Sequence, residues 1–369
     1  MTNALRIALL AGTTVAPLGA ADAPPAHVRA VTLPAPSLAE HQFVQADKDG
    51  RVFLLDSRTL DVLPLTARGL GAVTLRLTPR APLKEPVSRA AMGTTSDVWF
   101  VKANDPCFFA GGEEKPLPPA QWWPDNVALL GDTPVIAVRP GLMIGARPAN
   151  IRDMRLPEEA PWLLSLSGDR WEPLVTGNWK DTGEGMGDTM TAFAVKVAAS
   201  SNRSFWMARE YAYRVRRLSP TGRLREELVV GEGTPTRLSG EAIAAAEKNA
   251  AAFAAAHPKP GQAPGSSSAS FFTPMTNAPV IKAITEGRDG RLYVLATVAG
   301  DLVLDRYDPV VKKMGRVRLP FTYTGIMSMA AGKDGLFFAA YQAKAGRWLV
   351  PWEELERARW SAVTELQVN

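Results

Sequence analysis

Short apolar runs alternate with polar turns along most of the chain, and one such unit is repeated. In this unit an Asp-Gly turn, such as Asp289-Gly290, precedes a run of apolar residues, here Leu292 to Leu295. Short runs rich in β-branched and aromatic residues and bounded by turn residues are typical of β-strands. The clearest copies read DKDGRVFLLD (47–56), GRDGRLYVLA (287–296) and AGKDGLFFAA (331–340), and looser copies span 91–103, 127–139 and 196–209.

A second, weaker pair of strands follows each copy. Asp305 to Pro320 and Arg214 to Gly231 are the clearest cases, since each runs from a strand through a turn to a strand of alternating pattern. In the latter, Leu224 and Leu228 point to the same side. Each unit therefore contains four strands, and the first strands of six units begin near Phe43, Ala90, Val127, Ala192, Ile281 and Ile326.

Four-stranded units that recur every 40 to 50 residues, roughly, favour an all-β fold, a six-bladed β-propeller. A lone four-stranded sheet leaves both faces uncovered, and stacking six of them in a ring buries those faces. A β-sandwich with long insertions is the alternative. We assign residues 40–369 to the propeller, with one insertion at 232–278, and we expect the ring to close by pairing of the segment 28–33 with the last unit near 364–368. The insertion is predicted to contain a helix from Gly240 to Ala256, capped by Ser239 and followed by an irregular linker.

The N-terminus has the pattern of an export signal. Arg6 precedes a short apolar stretch, Ile7 to Val15, and the small residues Ala20 and Ala21 offer a cleavage site. We predict a signal peptide at 1–21 and a flexible lead-in at 22–39. No other stretch approaches 18 apolar residues, so no membrane span is expected and the mature chain is predicted to be secreted or periplasmic.

Composition narrows the chemistry. The 369 residues are 46% apolar, enough for a full core, and the formal charge of +5 is mild. The basic residues are scattered, so nucleic-acid binding is not expected. The single cysteine, Cys107, excludes an internal disulfide and a multi-cysteine zinc site. Of three histidines only His41 lies near predicted ordered structure, which gives Ser-His-Asp or Cys-His catalysis poor support. The Asp-Gly turns lack the further oxygens of a calcium loop, and we interpret them as bends.

The Asp-Gly units carry a family resemblance. The segments around Asp49-Gly50 and Asp289-Gly290, each continuing into a strand, resemble six-bladed propellers of the NHL and gluconolactonase-like superfamily, and most of all secreted, uncharacterised bacterial members. The resemblance implies a divalent cation in the channel of the lactonases, bound through Glu, Asn and Asp. Asp125-Asn126 and Asn104-Asp105 are near the predicted channel mouth, but no Glu-Asn-Asn-Asp series recurs. No catalytic residue, metal ligand or cofactor is therefore assigned.

Charge distribution points to a candidate site on the side opposite the Asp-Gly turns. In propellers the loops that join blades, and those that link second to third strands, usually carry the ligand. Five of the eight residues predicted at that rim are basic, and such a ring would attract an anion. The alternative is ordinary solvated charge. The candidate ligand-binding residues are Arg89, Lys102, Arg139, Arg209, Glu210, Lys282, Tyr323 and Tyr341.

The sequence favours a secreted binding or interaction module over an enzyme. Its partner would be a small anionic or carbohydrate ligand or a protein at one face of the channel, and the chain is expected to be a monomer. A metal-assisted hydrolase or lyase of the lactonase kind is one alternative. A structural surface repeat without a small ligand is the other.

Overall fold

The computed structural model describes most of the repeated region and little of the insertions. The described residues are 28–34, 41–81, 89–94, 96–102, 105–120, 122–143, 160–177, 195–200, 204–209, 212–231, 236–237, 240, 244, 277–278, 280–321 and 327–369. The expected signal peptide (1–21) lies outside them, as do most of the lead-in and most of the helix expected at 240–256. Gly240 and Ala244, the two described residues of that segment, are both helical.

The strands form six antiparallel sheets arranged as blades. Strand β1 (Val31–Thr32) precedes blade 1, which contains β2 (Gln42–Ala46), β3 (Val52–Asp56), β4 (Asp61–Thr66) and a split outer strand, β5 (Gly69–Leu70) and β6 (Leu75–Arg76). Blade 2 contains β7 (Arg89–Met92), β8 (Asp97–Lys102), β9 (Asp105–Ala110) and β10 (Glu113–Lys115). Blade 3 contains β11 (Trp122–Leu130), β12 (Thr133–Met143), β13 (Ala160–Ser167) and β14 (Arg170–Gly177).

The second half repeats this order. Blade 4 contains β15 (Val195–Ala199), β16 (Phe205–Arg209), β17 (Arg214–Leu218) and β18 (Leu224–Val230). After blade 4 in the chain, β19 (Thr236–Arg237) and β20 (Asn277–Ala278) pair as a separate two-stranded sheet. Blade 5 contains β21 (Ile281–Glu286), β22 (Leu292–Val298), β23 (Asp301–Asp308) and β24 (Lys313–Arg318). Blade 6 contains β25 (Met327–Ala331), β26 (Gly335–Ala340) and β27 (Arg347–Pro351). A 3-10 turn (Ala343–Ala345), α1 (Trp352–Arg357), β28 (Ser361–Ala362) and β29 (Leu366–Val368) complete the chain.

The six first strands form a closed ring. Each contacts the first strands of the two neighbouring blades, and β25 of blade 6 contacts β2 of blade 1. The predicted all-β, six-bladed propeller is confirmed. Five of the six first strands begin within three residues of the predicted position, and β11 begins earlier, at Trp122.

The core lies between the blades. Six apolar clusters are present, one at each junction between neighbouring blades. Phe100 and Phe109 are buried between blades 1 and 2, and Val294 is buried between blades 4 and 5. This arrangement follows from the strand pattern, because a sheet buried on both faces needs apolar residues at odd and even positions alike.

Ring closure uses the N-terminal strand. Strand β1 pairs with β27, with Val31 opposite Leu349, and supplies the fourth strand of blade 6. The prediction that the segment 28–33 joins the last unit is confirmed. The further prediction that it pairs there with 364–368 is wrong, since β29 pairs with β18 of blade 4 and β28 with β24 of blade 5. Strand β1 already pairs with the outer edge of blade 6. The C-terminal strands β29 and β28 instead pair with the outer strands of blades 4 and 5, whose edges would otherwise be unpaired.

The Asp-Gly turns are bends, as interpreted from the sequence. Gly50 and Gly290 have φ values of 70° and 71°, in the left-handed region that glycine tolerates. In the first turn, Asp47 Oδ1 accepts hydrogen bonds from the backbone N–H groups of Asp49 (3.0 Å) and Arg51 (2.9 Å). The aspartate oxygens thus stabilise the turn.

Candidate ligand-binding site in the central channel

The ring encloses a central channel of about 300 Å³. Its walls come from the first strands of all six blades, because these are the innermost strands of the sheets. Each first strand runs from the connection with the preceding blade towards the turn that leads into the second strand. The channel therefore has a connection end, where the first strands begin, and a turn end, where the Asp-Gly turns lie.

Two buried lysines line the connection end. Lys196 is the second residue of β15 and Lys282 the second residue of β21, on neighbouring blades 4 and 5. They are 8% and 4% exposed, respectively. An ammonium group on the wall of a narrow cavity is screened less by water than one at an open surface. This end of the channel carries two such buried basic side chains.

A β-bulge positions Lys282. Ile281 is opposite Ala296 and Ala283 is opposite Leu295, which leaves Lys282 as the extra residue between two regular pairs. A bulge interrupts the alternation of side chains and redirects the extra one. Here the residues on either side pack between blades, while Lys282 lines the channel.

Other polar side chains of the wall connect neighbouring blades. Asn126 Nδ2 donates to the carbonyl oxygen of Val195 (3.1 Å), from blade 3 to blade 4. Ser328 Oγ accepts the backbone N–H of Val44 (2.8 Å), from blade 6 to blade 1. These hydrogen bonds hold the first strands in position around the lysines.

The turn end carries carboxylates that are bound within the protein. Asp47 Oδ2 accepts a hydrogen bond from Arg51 Nε (2.8 Å), and Glu286 Oε2 accepts one from Trp206 Nε1 (2.8 Å). Arg288, in the turn of blade 5, donates to the carbonyl oxygen of Asp49 in the turn of blade 1 (2.9 Å). Because blade 6 lies between these two blades, this contact crosses part of the channel opening and narrows the turn end.

The candidate residues predicted from the sequence lie in different parts of the structure. Lys282 lines the channel. Arg209 is buried at the end of β16, with its guanidinium carbon 5.9 Å from the centre of the Trp162 ring, in the packing between blades 3 and 4. Tyr341 stacks on His41 at 4.3 Å, at the junction of blades 6 and 1. Neither residue lines the cavity, because second strands lie farther from the axis than first strands.

The other predicted residues are described only in part or not at all. Arg89, Lys102 and Arg139 are located in strands by their backbone, and their side chains lie outside the description, as does the side chain of Asp125. Glu210, Tyr323 and Asn104 lie outside the described residues altogether.

Lys196 was missed by the sequence prediction. Its segment, VKVAA, has the same order of apolar residue, lysine and apolar residue as IKAITE around Lys282. An alignment of the six first strands by their position in the repeat would have placed the two lysines at the same level. The signal was weak because the turn after β15 has no Asp-Gly pair to mark the register.

The described part of the chain contains neither a metal-binding cluster nor a membrane-spanning helix. There, no group of three or more His, Cys, Asp and Glu side chains is arranged to hold a metal ion. Within the same residues, no helix has both the length and the apolar character needed to cross a membrane.

No protein-family model and no curated protein matches the chain. Similar solved structures include a streptogramin B lyase, with 13% identity, a TM-score of 0.47 and coverage of 87% of this chain and 96% of that one. A gluconolactonase from Xanthomonas campestris has 13% identity and a TM-score of 0.47, with coverage of 88% and 89%. A Bacteroides fragilis protein described as exported has 9% identity and a TM-score of 0.45, with coverage of 84% and 83%. These similarities carry no conclusion about this chain, and the six blades themselves establish that the chain is a six-bladed β-propeller.

Proposed function

We propose that the chain is a binding module whose channel holds a small anionic ligand at the connection end. The observation that carries this proposal is the placement of Lys196 and Lys282, two buried lysines on neighbouring blades, on the wall of one cavity of about 300 Å³. Each ammonium group offers up to three hydrogen-bond donors to a carboxylate or phosphate.

The polarity of the channel supports an anion. The basic groups lie at the connection end, while Asp47 and Glu286 at the turn end accept hydrogen bonds from Arg51 and Trp206. A ligand that enters from the connection end meets the lysines first. Ions of the same sign as the lysines are repelled there, and anions are concentrated.

The channel wall opposite the lysines is apolar, and this suggests that the non-ionic part of the ligand is less polar. In a six-membered ring blade 4 faces blade 1 and blade 5 faces blade 2. Phe43 and Ala90, the second residues of β2 and β7, line the channel there and are apolar. An anion with a less polar body, such as a sugar acid, would contact both walls. A cavity of this size lies at the lower end of the range for small-molecule sites, about 300–1,000 Å³.

Isothermal titration calorimetry tests this proposal with D-glucuronate, D-glucose and inorganic phosphate as probes. We expect glucuronate to bind more tightly than glucose, and Lys196→Gln or Lys282→Gln to raise its Kd by about tenfold or more, since each removes a charge-assisted hydrogen bond. Lys313→Gln, at an exposed position of β24, is the matched control.

Two results would reject an anion site at the lysines. One is equal binding of glucose and glucuronate. The other is a glucuronate Kd that is the same in the wild type and in both channel variants. Phosphate binding that depends on both lysines, without glucuronate binding, would keep the anion site and reject the sugar-acid body.

The location of this activity stays a prediction from the N-terminal sequence. We propose export followed by removal of residues 1–20 or 1–21, so that the mature chain begins at Ala21 or Asp22. Expression of the full chain in a bacterial host, followed by intact-mass measurement of the periplasmic fraction, checks this. A full-length mass confined to the cytoplasm would overturn it.

A further inference from the structure

A second basic group, Arg347, is buried where the ring closes and has no charged partner among the described residues. It is the first residue of β27 and is 1% exposed. Its Nε donates to Gln42 Oε1 (2.5 Å), while both terminal nitrogens, Nη1 and Nη2, are buried without a hydrogen-bond partner. Guanidinium groups stay protonated in proteins, so this side chain carries a buried positive charge.

Strand alternation shows which junction the side chain occupies. Arg347 is opposite Ala339, and Ala339 belongs with Leu349 to the apolar cluster between blades 6 and 1. Gln42 and Val44 are on the same face of β2, and Val44 belongs to that cluster too. Arg347 and Gln42 therefore meet between the last blade and the first, next to the apolar cluster of that junction.

Gln42 cannot neutralise the arginine. Its side chain is fully buried, and its Nε2 donates to the carbonyl oxygens of Ala340 (3.0 Å) and Gly346 (3.3 Å). These bonds fix the amide so that its oxygen faces Arg347. An amide oxygen accepts a hydrogen bond but supplies no negative charge. Burial without a counter-charge also lowers the pKa of Arg347.

We propose that Arg347 binds a chloride ion through Nη1 and Nη2 at the junction of blades 6 and 1. Ordered water would satisfy the N–H groups but would leave the charge uncompensated, and an unpaired buried charge is costly. Nη1 and Nη2 are closed to solvent, so the surrounding side chains would have to move slightly to admit an ion, which favours a small monatomic ion over a carboxylate or phosphate.

The ion would stabilise ring closure. The carbonyl oxygen of Arg347 accepts the backbone N–H of Leu33 (3.0 Å), next to β1, and its side chain contacts β2. The N-terminal strand, the first blade and the last blade thus meet at one residue. A ligand that binds the folded chain alone raises its stability in proportion to the logarithm of its concentration.

Thermal unfolding of the full chain tests the site. Tm is measured in sodium chloride and in sodium methanesulfonate at matched ionic strength, for the wild type, Arg347→Met and the exposed control Arg68→Met. We expect chloride to raise the Tm of the wild type and of Arg68→Met by about 2–4 °C over methanesulfonate. Arg347→Met should show no difference between the salts. Binding of either anion in the channel would change the Tm of all three proteins equally. It would therefore not produce a salt effect that is lost only in Arg347→Met.

Crystals of the wild type soaked in sodium bromide provide a test that does not depend on a variant that folds. An anomalous peak within hydrogen-bonding distance of Nη1 or Nη2 is expected. Density for water without anomalous signal would overturn the proposal, as would a wild-type Tm that is the same in both salts.

Discussion

Two of the junctions that contain a buried arginine, the one between blades 4 and 5 and the one between blades 6 and 1, treat its charge in opposite ways. Between blades 4 and 5, Arg316 Nε and Nη2 donate to the two carboxylate oxygens of Asp305, each at 2.8 Å. Tyr213 of blade 4 donates to the same carboxylate (2.6 Å). Between blades 6 and 1, the side chain of Arg347 has one hydrogen bond among the described residues, to the neutral Gln42.

The difference reflects where the partners lie in the chain. Asp305 and Arg316 belong to adjacent strands of one hairpin, β23 and β24, so the pair forms whenever the hairpin forms. Arg347 and Gln42 are 305 positions apart and meet only when the ring closes. The junction between blades 4 and 5, which we call the internal junction, thus relies on an ion pair within one hairpin. The junction between blades 6 and 1 joins the two ends of the chain, and its arginine has no such partner nearby in the sequence.

A second hydrogen bond strengthens the internal junction. Tyr307 of blade 5 donates to Glu226 Oε1 of blade 4 (2.7 Å), opposite in direction to the bond from Tyr213. The two tyrosines thus donate across the junction from both sides, and each phenol is paired with a carboxylate. Such satisfied polar groups specify how neighbouring blades align.

The largest expected effect is from Arg316→Met. It leaves Asp305 buried and without its cation, so the free energy of unfolding should fall by about 3–5 kcal/mol. Urea denaturation measures this. The double variant Arg316→Met/Asp305→Leu should recover most of the loss, because no buried charge remains. A double variant as unstable as the single one would mean that packing, not charge, holds this junction.

A smaller effect is expected from Tyr213→Phe, and it depends on pH. Burial, with the nearby Asp305 carboxylate, raises the pKa of Tyr213 well above 10.0. Below pH 10 both folded and unfolded chains keep the proton, and the variant should be less stable by about 1.5–3 kcal/mol, the range for a hydrogen bond to a charged group.

Above pH 10 the unfolded wild type loses this proton while the folded form keeps it, so the wild type loses stability as pH rises. The variant has no phenol at this position. Its deficit relative to the wild type should therefore shrink between pH 10 and 11.5. Urea midpoints across this range measure the gap, and a constant gap would contradict the raised pKa.

The smallest effect is expected from Arg347→Met in chloride-free buffer. Here the substitution removes an uncompensated charge, which stabilises the chain, and removes the donor to the buried Gln42 Oε1, which destabilises it, so stability should change by less than about 1 kcal/mol. The same substitution at Arg316 is predicted to be severalfold more costly. Equal losses at the two positions, measured by urea denaturation, would remove the distinction between the junctions.

Much of the fold could be predicted from local sequence. The Asp-Gly turns at Asp49-Gly50 and Asp289-Gly290 mark the register of the best-preserved repeats, because glycine takes a positive φ there. Which of the candidate residues share one cavity could not be predicted. Lys282 lines the channel, but Arg209 is packed against Trp162, since residues that share one end of the propeller do not share one distance from its axis.

The sequence by itself determined the six blades, their order and the role of the Asp-Gly turns, because hydrophobic alternation and turn chemistry act over a few residues. The tertiary structure alone decided that Lys196 and Lys282 line one channel, that β29 covers blade 4 and β28 covers blade 5, and that Arg347 meets Gln42. These outcomes depend on pairings across hundreds of residues. No local pattern encodes such pairings, because the free energy that selects them comes from closing the ring.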